Sequence, residues 1–193
     1  PLAKYGAKVA GQLSELAARE VVFCMVAAWK DVKQVMHELL AGKQQPRVVI
    51  ECSSISPEGS AELRALLAAR GIDYLAAPVS GNAKVIKAGK LSFVCSGPRK
   101  SFDEALPLLR MIAPAASYVG DGELARIVKI CHNVFLGVVA QSLAEVTVLA
   151  QKAGVPRHAF LEFLNQSVMG SMFTRYKTPA GREVPVSRGE LVE

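Results

Sequence analysis

The residues best suited to chemistry lie between positions 129 and 133, where Lys129, His132 and Asn133 interrupt an otherwise apolar stretch. A helical spacing places Lys129 and Asn133 on one face, one turn apart, and Gly137 continues that face. Burial disfavours the charged form of a lysine, so its pKa falls and the amine can exchange a proton near neutral pH. The pattern indicates an amine and an amide beside a gap, which suits interconversion of an alcohol and a carbonyl. The ordinary alternative is a lysine that extends to solvent near a helix end.

The segment APVSGN provides a second candidate site. Pro78 stands where the nucleophile elbow G-x-S-x-G needs glycine, which excludes that arrangement for Ser80. A strand that ends at Gly81 would let the Ser80 hydroxyl and the following backbone N–H groups converge on an anion such as a carboxylate. An ordinary turn from strand to loop is the competing interpretation.

Cysteine spacing and composition exclude several other classes of function. The four cysteines are widely separated, with no C-x-x-C pair, and His132 has no second ligand at a workable spacing; we therefore expect no metal site or disulfide framework, and a cytoplasmic location. His132 is interpreted as a hydrogen-bonded interior histidine.

The net charge of +6 comes from scattered basic residues, and only 6% of residues are aromatic, so we expect a cleft for small acidic molecules and no nucleic acid. No uninterrupted apolar stretch reaches the roughly 18–20 residues of a membrane span, and no secretory signal is evident at the start.

Apolar runs and helical patterns alternate in the first two thirds of the chain. The runs at 21–26, 47–53, 74–80 and 91–96 predict strands covered on both faces. Helices are predicted at 31–41 and from Pro57 through residue 70, where Gly71 follows. This alternation predicts an α/β domain with a mainly parallel sheet, in which the short link at 81–90 favours an antiparallel 91–96 strand.

The pattern changes after residue 120. One proline-free helix is predicted from about 123 to 153, and because it is apolar almost all round we expect it to be buried. A shorter helix follows at about 156–166, with Phe160, Phe163 and Leu164 on one face. We therefore predict domains at 1–122 and 123–176, the second being the start of an all-α domain, and a loop or disordered tail at 177–193.

Four motifs in order resemble those of the β-hydroxyacid dehydrogenases, the family of 3-hydroxyisobutyrate dehydrogenase, tartronate semialdehyde reductase and glyoxylate/succinic semialdehyde reductase. VVFCMV is similar to the strand that ends in a Met-Leu-Pro-like turn, IECSSISPE to D-x-S-T-x-x-P, APVSGN to D-A-P-V-S-G-G and KICHN to K-x-x-N-N. The resemblance covers about residues 6–176. It implies a Rossmann-like dinucleotide-binding domain followed by a helical domain, and a homo-oligomer in the full-length family.

The resemblance also implies a role for each matching residue. Lys129 would be the general acid/base, Asn133 would orient the substrate, and the segment 80–82 would hold its carboxylate. The substrate-binding set is Ser80, Gly81, Asn82 and Asn133, and the cofactor-binding set is Met25, Val26, Ala27, Asp31 and Ser54. NAD or NADP would carry the hydride, while the protein supplies orientation and the proton for a small carboxylate-bearing substrate.

Departures from the family pattern keep a second hypothesis open. The glycine-rich turn G-x-G-x-x-G occurs nowhere in the sequence, so we expect an incomplete Rossmann-like domain without its first β-α-β unit. Ala76 replaces the usual aspartate, His132 replaces the first asparagine of K-x-x-N-N, and Val26-Ala27 replace Leu-Pro. The alternative to an enzyme is therefore a non-catalytic or inactive fragment of the same fold, which serves oligomerisation or partner binding. Lys129 argues against imine reductases, which share the fold but usually lack this lysine.

Overall fold

The structure, a computed structural model, describes residues 2–171, and the predicted tail at 177–193 lies outside these residues. The strands are β1 (Val21–Cys24), β2 (Val48–Glu51), β3 (Asp73–Ala76), β4 (Val79–Ser80), β5 (Ser92–Cys95) and β6 (Ala115–Tyr118). The helices are α1 (Trp29–Leu40), α2 (Pro57–Ala68), α3 (Ala83–Lys87), α4 (Arg99–Ile112), α5 (Leu124–Lys152) and α6 (Arg157–Gln166). Short 3-10 helices occupy Leu2–Tyr5, Leu13–Ala18 and Val168–Ser171.

The strands form two three-stranded sheets, and the predicted α/β class is confirmed. The first sheet, β1-β2-β3, is parallel throughout, whereas β5 pairs antiparallel with β4 and parallel with β6. The antiparallel direction predicted for the 91–96 strand is thus confirmed against β4. The single strand predicted at 74–80 is wrong, because the chain leaves the first sheet after β3 and enters the second at β4, on either side of Ala77 and Pro78. Proline has no N–H to donate to a strand ladder, which favours a break at this point.

Helices cover both faces of the first sheet. On one face, buried side chains of α1 and α2, including Val32, Met36 and Leu63, form one apolar cluster. On the other, Phe102 and Leu109 of α4 belong to the cluster that contains Ile50 of β2 and residues of the second sheet. All four residues of β2 are buried, as expected for a parallel strand covered on both sides.

The buried position predicted for the long helix is wrong within the described residues. Most of α5 is exposed, and its large exposed apolar side chains are Leu124, Ile127, Val128, Ile130, Val134, Phe135, Leu136, Val138, Val146, Val148 and Leu149. The boundaries predicted from the sequence agree with the helix to within one residue at each end. A helix that is apolar on every side needs packing partners on every side, and the described residues cover only a small part of its surface. By length and composition alone, α5 would also be able to cross a membrane.

The described residues separate into two compact units that divide within α5, between Cys131 and His132. The second unit contains the rest of α5 and helix α6, which lies where the sequence predicts it. The face predicted for α6 is only partly correct, because Leu161 is its buried residue while Phe163 is 67% exposed. Phe160 and Leu164 are half-buried, so the packed face includes two of the three predicted residues together with Leu161.

Candidate functional site

Two loops meet at the carboxyl edge of the first sheet. Val26 follows β1 and Ser53 follows β2, and because these strands are parallel neighbours their following loops leave the sheet at the same edge. The backbone N–H of Val26 donates a hydrogen bond of 2.8 Å to Ser53 Oγ. The structure thus brings the predicted cofactor segments after β1 and β2 side by side and joins them directly.

The predicted cofactor residues at this edge differ in how accessible they are. Met25, Ala27 and Ser54 are exposed, whereas Val26 is half-buried. Asp31 lies in the first turn of α1, where its Oδ2 accepts a hydrogen bond of 3.0 Å from the Ala28 N–H. A carboxylate at this position satisfies a free N–H of the helix start and complements the helix dipole. Asp31 therefore fixes the turn that carries Met25 to Ala28.

The predicted carboxylate-binding segment begins at the end of β4. Ser80 is half-buried, and Gly81 has φ +148°, a conformation that L side chains rarely adopt. A Cβ added at Gly81 would lie 2.9 Å from Val85 Cγ1. Asn82 caps α3, because its Oδ1 accepts a hydrogen bond of 3.1 Å from the Val85 N–H. The side chain of Asn82 is thus used locally, while Gly81 supplies the backbone turn.

Lys129 lies in the second turn of α5 and is half-buried. Desolvation by burial lowers the pKa of its amine below the ordinary value of 10.5. Within the described residues, no carboxylate forms an ion pair with it. The amine therefore combines partial burial with the absence of a described charge partner, which suits proton exchange.

Asn133 lies one turn beyond Lys129, in the second unit. Both Asn133 and His132 are exposed, and His132 Nδ1 lies 3.3 Å from Asn133 Oδ1. The interior position predicted for His132 is wrong, for the same reason that α5 as a whole is exposed.

A buried ion pair at the start of α5 was not predicted from the sequence. Arg126 and Glu51 are 2% and 0% exposed, and the Arg126 guanidinium donates to the Glu51 carboxylate. Arg126 also donates hydrogen bonds to the Ser53 carbonyl oxygen (2.7 Å), the Tyr74 hydroxyl (2.9 Å) and Ser60 Oγ (3.2 Å). The guanidinium therefore joins α5 to β2, β3 and α2.

The electrostatics of this cluster keep the guanidinium charged. Desolvation acts to lower the pKa of Arg126, but Tyr74 and Glu51 outweigh it, and the pKa lies above its usual value. Burial raises the pKa of the Tyr74 hydroxyl, so that group stays neutral and takes part as a hydrogen-bonding partner. A sequence signal for the pair did exist: Glu51 ends the apolar run of β2, and Arg126 interrupts an apolar helix.

The three buried cysteines near the sheet are chemically inert. Burial, with a further contribution from Glu51 at Cys24 and Cys52, raises the pKa of Cys24, Cys52 and Cys95 to about 12. Their thiols stay protonated at neutral pH and are poor nucleophiles. Among the described residues, no group of three or more histidine, cysteine, aspartate or glutamate side chains is arranged to hold a metal ion.

Sequence comparison connects the chain with a family of nucleotide-binding proteins. The family model described as the NAD binding domain of 6-phosphogluconate dehydrogenase matches residues 1–120. The chain is 34% identical over 155 residues to 3-hydroxyisobutyrate dehydrogenase of Pseudomonas aeruginosa, covering 79% of this chain and 52% of the relative. It is 32% identical over 154 residues to 2-(hydroxymethyl)glutarate dehydrogenase of Eubacterium barkeri, covering 78% and 51%. The chain thus spans about half the length of these curated relatives.

Structural comparison agrees with the sequence comparison. The structure of Mycobacterium tuberculosis 3-hydroxyisobutyrate dehydrogenase with L-serine matches with a TM-score of 0.75 and 27% identity, covering 86% of this chain and 58% of that one. The expected Rossmann-like arrangement, with a mainly parallel sheet followed by a long helix, is therefore confirmed.

Proposed function

The chain belongs to the β-hydroxyacid dehydrogenase family, and we propose that it forms part of an NAD(P)-dependent oxidoreductase that interconverts a small 3-hydroxy acid and its semialdehyde. The observation that carries this proposal is the environment of the Lys129 amine. Desolvation lowers its pKa, and it lies about one helical turn after Arg126, which donates a hydrogen bond to the Ser53 carbonyl oxygen in the loop after β2. Lys129 is the general acid/base in this proposal.

The carboxyl edge of the first sheet fits the nicotinamide end of the cofactor. Met25 and Ala27 offer exposed apolar surface, and Ser54 offers an exposed hydroxyl, beside the ends of two parallel strands. Ligands of open α/β sheets bind in crevices outside the carboxyl ends of the strands. NAD or NADP supplies or accepts the hydride when bound. The family model that matches residues 1–120, named for NAD binding, supports the same cofactor.

The remaining steps belong to side chains of this chain. During reduction, the Lys129 ammonium donates a proton to the carbonyl oxygen as hydride arrives at carbon; during oxidation, the neutral amine takes the proton of the hydroxyl. The Ser80 hydroxyl and the backbone beyond Gly81 hold the substrate carboxylate, and Asn133 orients the group that reacts. Orientation of this kind accounts for a large part of the rate enhancement in such reactions.

The test is oxidation and reduction by the full-length gene product. We expect reduction of tartronate semialdehyde or succinic semialdehyde, or oxidation of 3-hydroxyisobutyrate, followed by the absorbance of NADH and NADPH. A correctly folded protein that transfers hydride to or from none of these with either nucleotide would refute the proposed activity.

A non-catalytic protein of the same fold is the alternative function. The departures within the matched motifs favour it, since Ala76, His132 and Val26-Ala27 stand where the family usually has other residues. Fluorescence titration of the 193-residue chain with NADH and NADPH tests this alternative. An inactive form of this fold should bind neither nucleotide tightly, whereas tight binding of either one would contradict this alternative.

The exposed apolar surface of α5 supports assembly into a homo-oligomer. Contiguous apolar surface on a soluble protein usually marks an interaction site. We also propose that the protein is cytoplasmic and binds neither membranes nor nucleic acid. Light scattering of the full-length gene product would test the oligomer, and flotation with vesicles of neutral and anionic lipids would test whether α5 binds a membrane.

A further inference from the structure

The Arg126 guanidinium occupies the centre of a hydrogen-bonded cluster with almost no access to solvent. Its Nε donates to Ser60 Oγ, its Nη1 to the Ser53 carbonyl oxygen, and its Nη2 to the Glu51 carboxylate and the Tyr74 hydroxyl. A planar guanidinium with several fixed partners has one orientation, unlike a lysine ammonium on a flexible stem. The cluster therefore fixes the rotation of the first turn of α5 relative to the carboxyl end of β2 and to β3.

Stability by itself does not require such an ion pair. Replacement of a buried charge pair by well-packed apolar residues is often neutral or stabilising, because desolvation offsets the attraction between the charges. What the ion pair supplies and an apolar contact does not is direction.

Ser53 connects the cluster to the loops at the carboxyl edge. Its backbone N–H donates to Glu51 Oε1 (2.7 Å), its carbonyl oxygen accepts from Arg126, and its Oγ accepts from the Val26 N–H (2.8 Å). One residue thus contacts both members of the ion pair and the loop after β1. On the other side, Lys129 follows Arg126 by three residues, about one helical turn, on the same helix.

We propose that Arg126 is a positioning residue that, with Glu51 and Ser53, holds the Lys129 amine in register with the loops after β1 and β2. This inference rests on the proposed function, since it concerns the same site. Arg126 does not touch the reacting atoms and acts through Lys129 and Ser53. We call Arg126, Glu51 and Ser53 together the clamp. Loss of the clamp would displace the amine without removing it, and a misplacement of about 1 Å can lower a rate about 100-fold.

Other contacts at the start of α5 provide a matched control. Arg64 forms an ion pair with Glu123 (2.8 Å), and Ser96 Oγ accepts from the Ala125 N–H (3.0 Å). The Arg64 pair anchors the beginning of α5 to α2, yet it reaches neither Ser53 nor Val26 in the described contacts. An Arg64→Gln variant therefore removes an arginine ion pair at the start of α5 and leaves the clamp intact.

The experiment compares four forms of the full-length gene product: wild type, Arg126→Met with Glu51→Gln, Arg126→Lys, and Arg64→Gln. The double variant removes both charges, so no buried charge is left alone. Arg126→Lys keeps a positive charge beside Glu51 but loses the planar guanidinium with its several donors. It replaces the double variant in the comparison if the double variant fails to fold. Circular dichroism establishes folding. The readouts are kcat and KM for the semialdehyde, and the pH titration of the Lys129 resonance after reductive ¹³C-methylation, assigned with Lys129→Arg.

In the folded variants at position 126 we expect kcat to fall about 100-fold while KM changes less than about threefold. The Lys129 resonance should titrate closer to an ordinary lysine, and Arg64→Gln should match wild type in both readouts. Wild-type kcat and an unshifted resonance in Arg126→Lys or the folded double variant would overturn the inference, as would an equal loss in Arg64→Gln. A folded wild type without activity would refute the proposed function alone, because the Lys129 resonance tests the clamp without turnover.

Discussion

The Glu51 carboxylate and the Arg126 guanidinium form a solvent-excluded ion pair across 75 residues of sequence. Glu51 ends the central strand of the first sheet, and Arg126 lies in the first turn of α5. The pair therefore joins the edge that would receive the cofactor to the helix that carries Lys129. Its first consequence concerns stability.

Arg126→Met should destabilise the fold strongly. The substitution leaves the Glu51 carboxylate buried without its counter-charge, and such changes cost about 3–5 kcal/mol. Addition of Glu51→Gln should recover at least about 2 kcal/mol of that loss, because the remaining glutamine is neutral and can still accept from the Ser53 N–H. Urea denaturation followed by circular dichroism measures both values. Equal stabilities for the single and double variants would contradict the coupling between the two charges.

The sequence predicted much of the fold because its periodic signals were local. The strands that became β1, β2 and β5 and the helices α1, α2, α5 and α6 were all predicted within a few residues. The longest helix and the strand that the sequence did not predict are α4 and β6. Helix α4 contains Pro107, which argues against a helix, and β6 reads AASY, which is too weakly apolar to stand out.

The candidate site was predicted less completely, because the missing part depends on distant pairing. The sequence motifs identify Lys129 and Ser80 individually, and the order of the motifs along the chain is enough to reveal the family resemblance. The partnership of Glu51 with Arg126 is decided by which strand packs against which helix turn, which periodicity does not reveal. The exposure of α5 was missed for a related reason: an apolar sequence indicates that a helix needs partners, not whether nearby residues supply them.

Lys129→Met should lower kcat in both directions, by about 100-fold to 10,000-fold, because a positioned proton donor or acceptor contributes that much to such steps. Methionine preserves the length and apolar stem of the side chain, so folding should be unaffected. Lys152→Met, at the exposed end of the same helix, is the matched control and should retain wild-type kinetics. Full activity of Lys129→Met would exclude the proposed proton transfer.

The lowered pKa of Lys129 predicts opposite pH responses for the two directions. Reduction needs the ammonium, so its rate should fall as pH rises through the folded-state pKa, which lies below 10.5; oxidation needs the neutral amine and should rise there. Stability follows from the same shift. Between the folded pKa and 10.5 the unfolded state binds more protons at this residue, so its contribution to the free energy of unfolding increases with pH.

Initial rates and urea titrations across this range check both trends. The comparison with Lys129→Met isolates the residue, since the variant should lose these pH-dependent differences. A pH profile for reduction that is the same in wild type and variant, apart from its height, would assign the titration to another group.

Gly81→Ala should impair substrate binding more than nucleotide binding. The residue has φ +148°, and a Cβ there would lie 2.9 Å from Val85 Cγ1 and 3.0 Å from Leu91 Cδ1, so the turn after Ser80 must shift. Gly89→Ala is the control: it carries a positive φ of +65° on the same stretch but has open space around the added Cβ. We expect a rise in KM for the carboxylate substrate of about 10-fold or more for Gly81→Ala, and a much smaller rise for Gly89→Ala. Equal effects would assign the loss to backbone strain alone.

Val138→Lys should weaken the assembly of the full-length gene product. The Val138 side chain is 57% exposed on α5 among other large apolar residues, and covering a side chain of this kind contributes about 1.5–3 kcal/mol. A charge at the centre of a packed contact would forfeit that contribution and add the cost of desolvation. Gln141→Lys introduces the same charge at an exposed polar position of the helix and is the control. Light scattering over a range of concentrations should reveal dissociation in the first variant only; the same mass for Val138→Lys, Gln141→Lys and wild type would mean that this part of α5 takes no part in assembly.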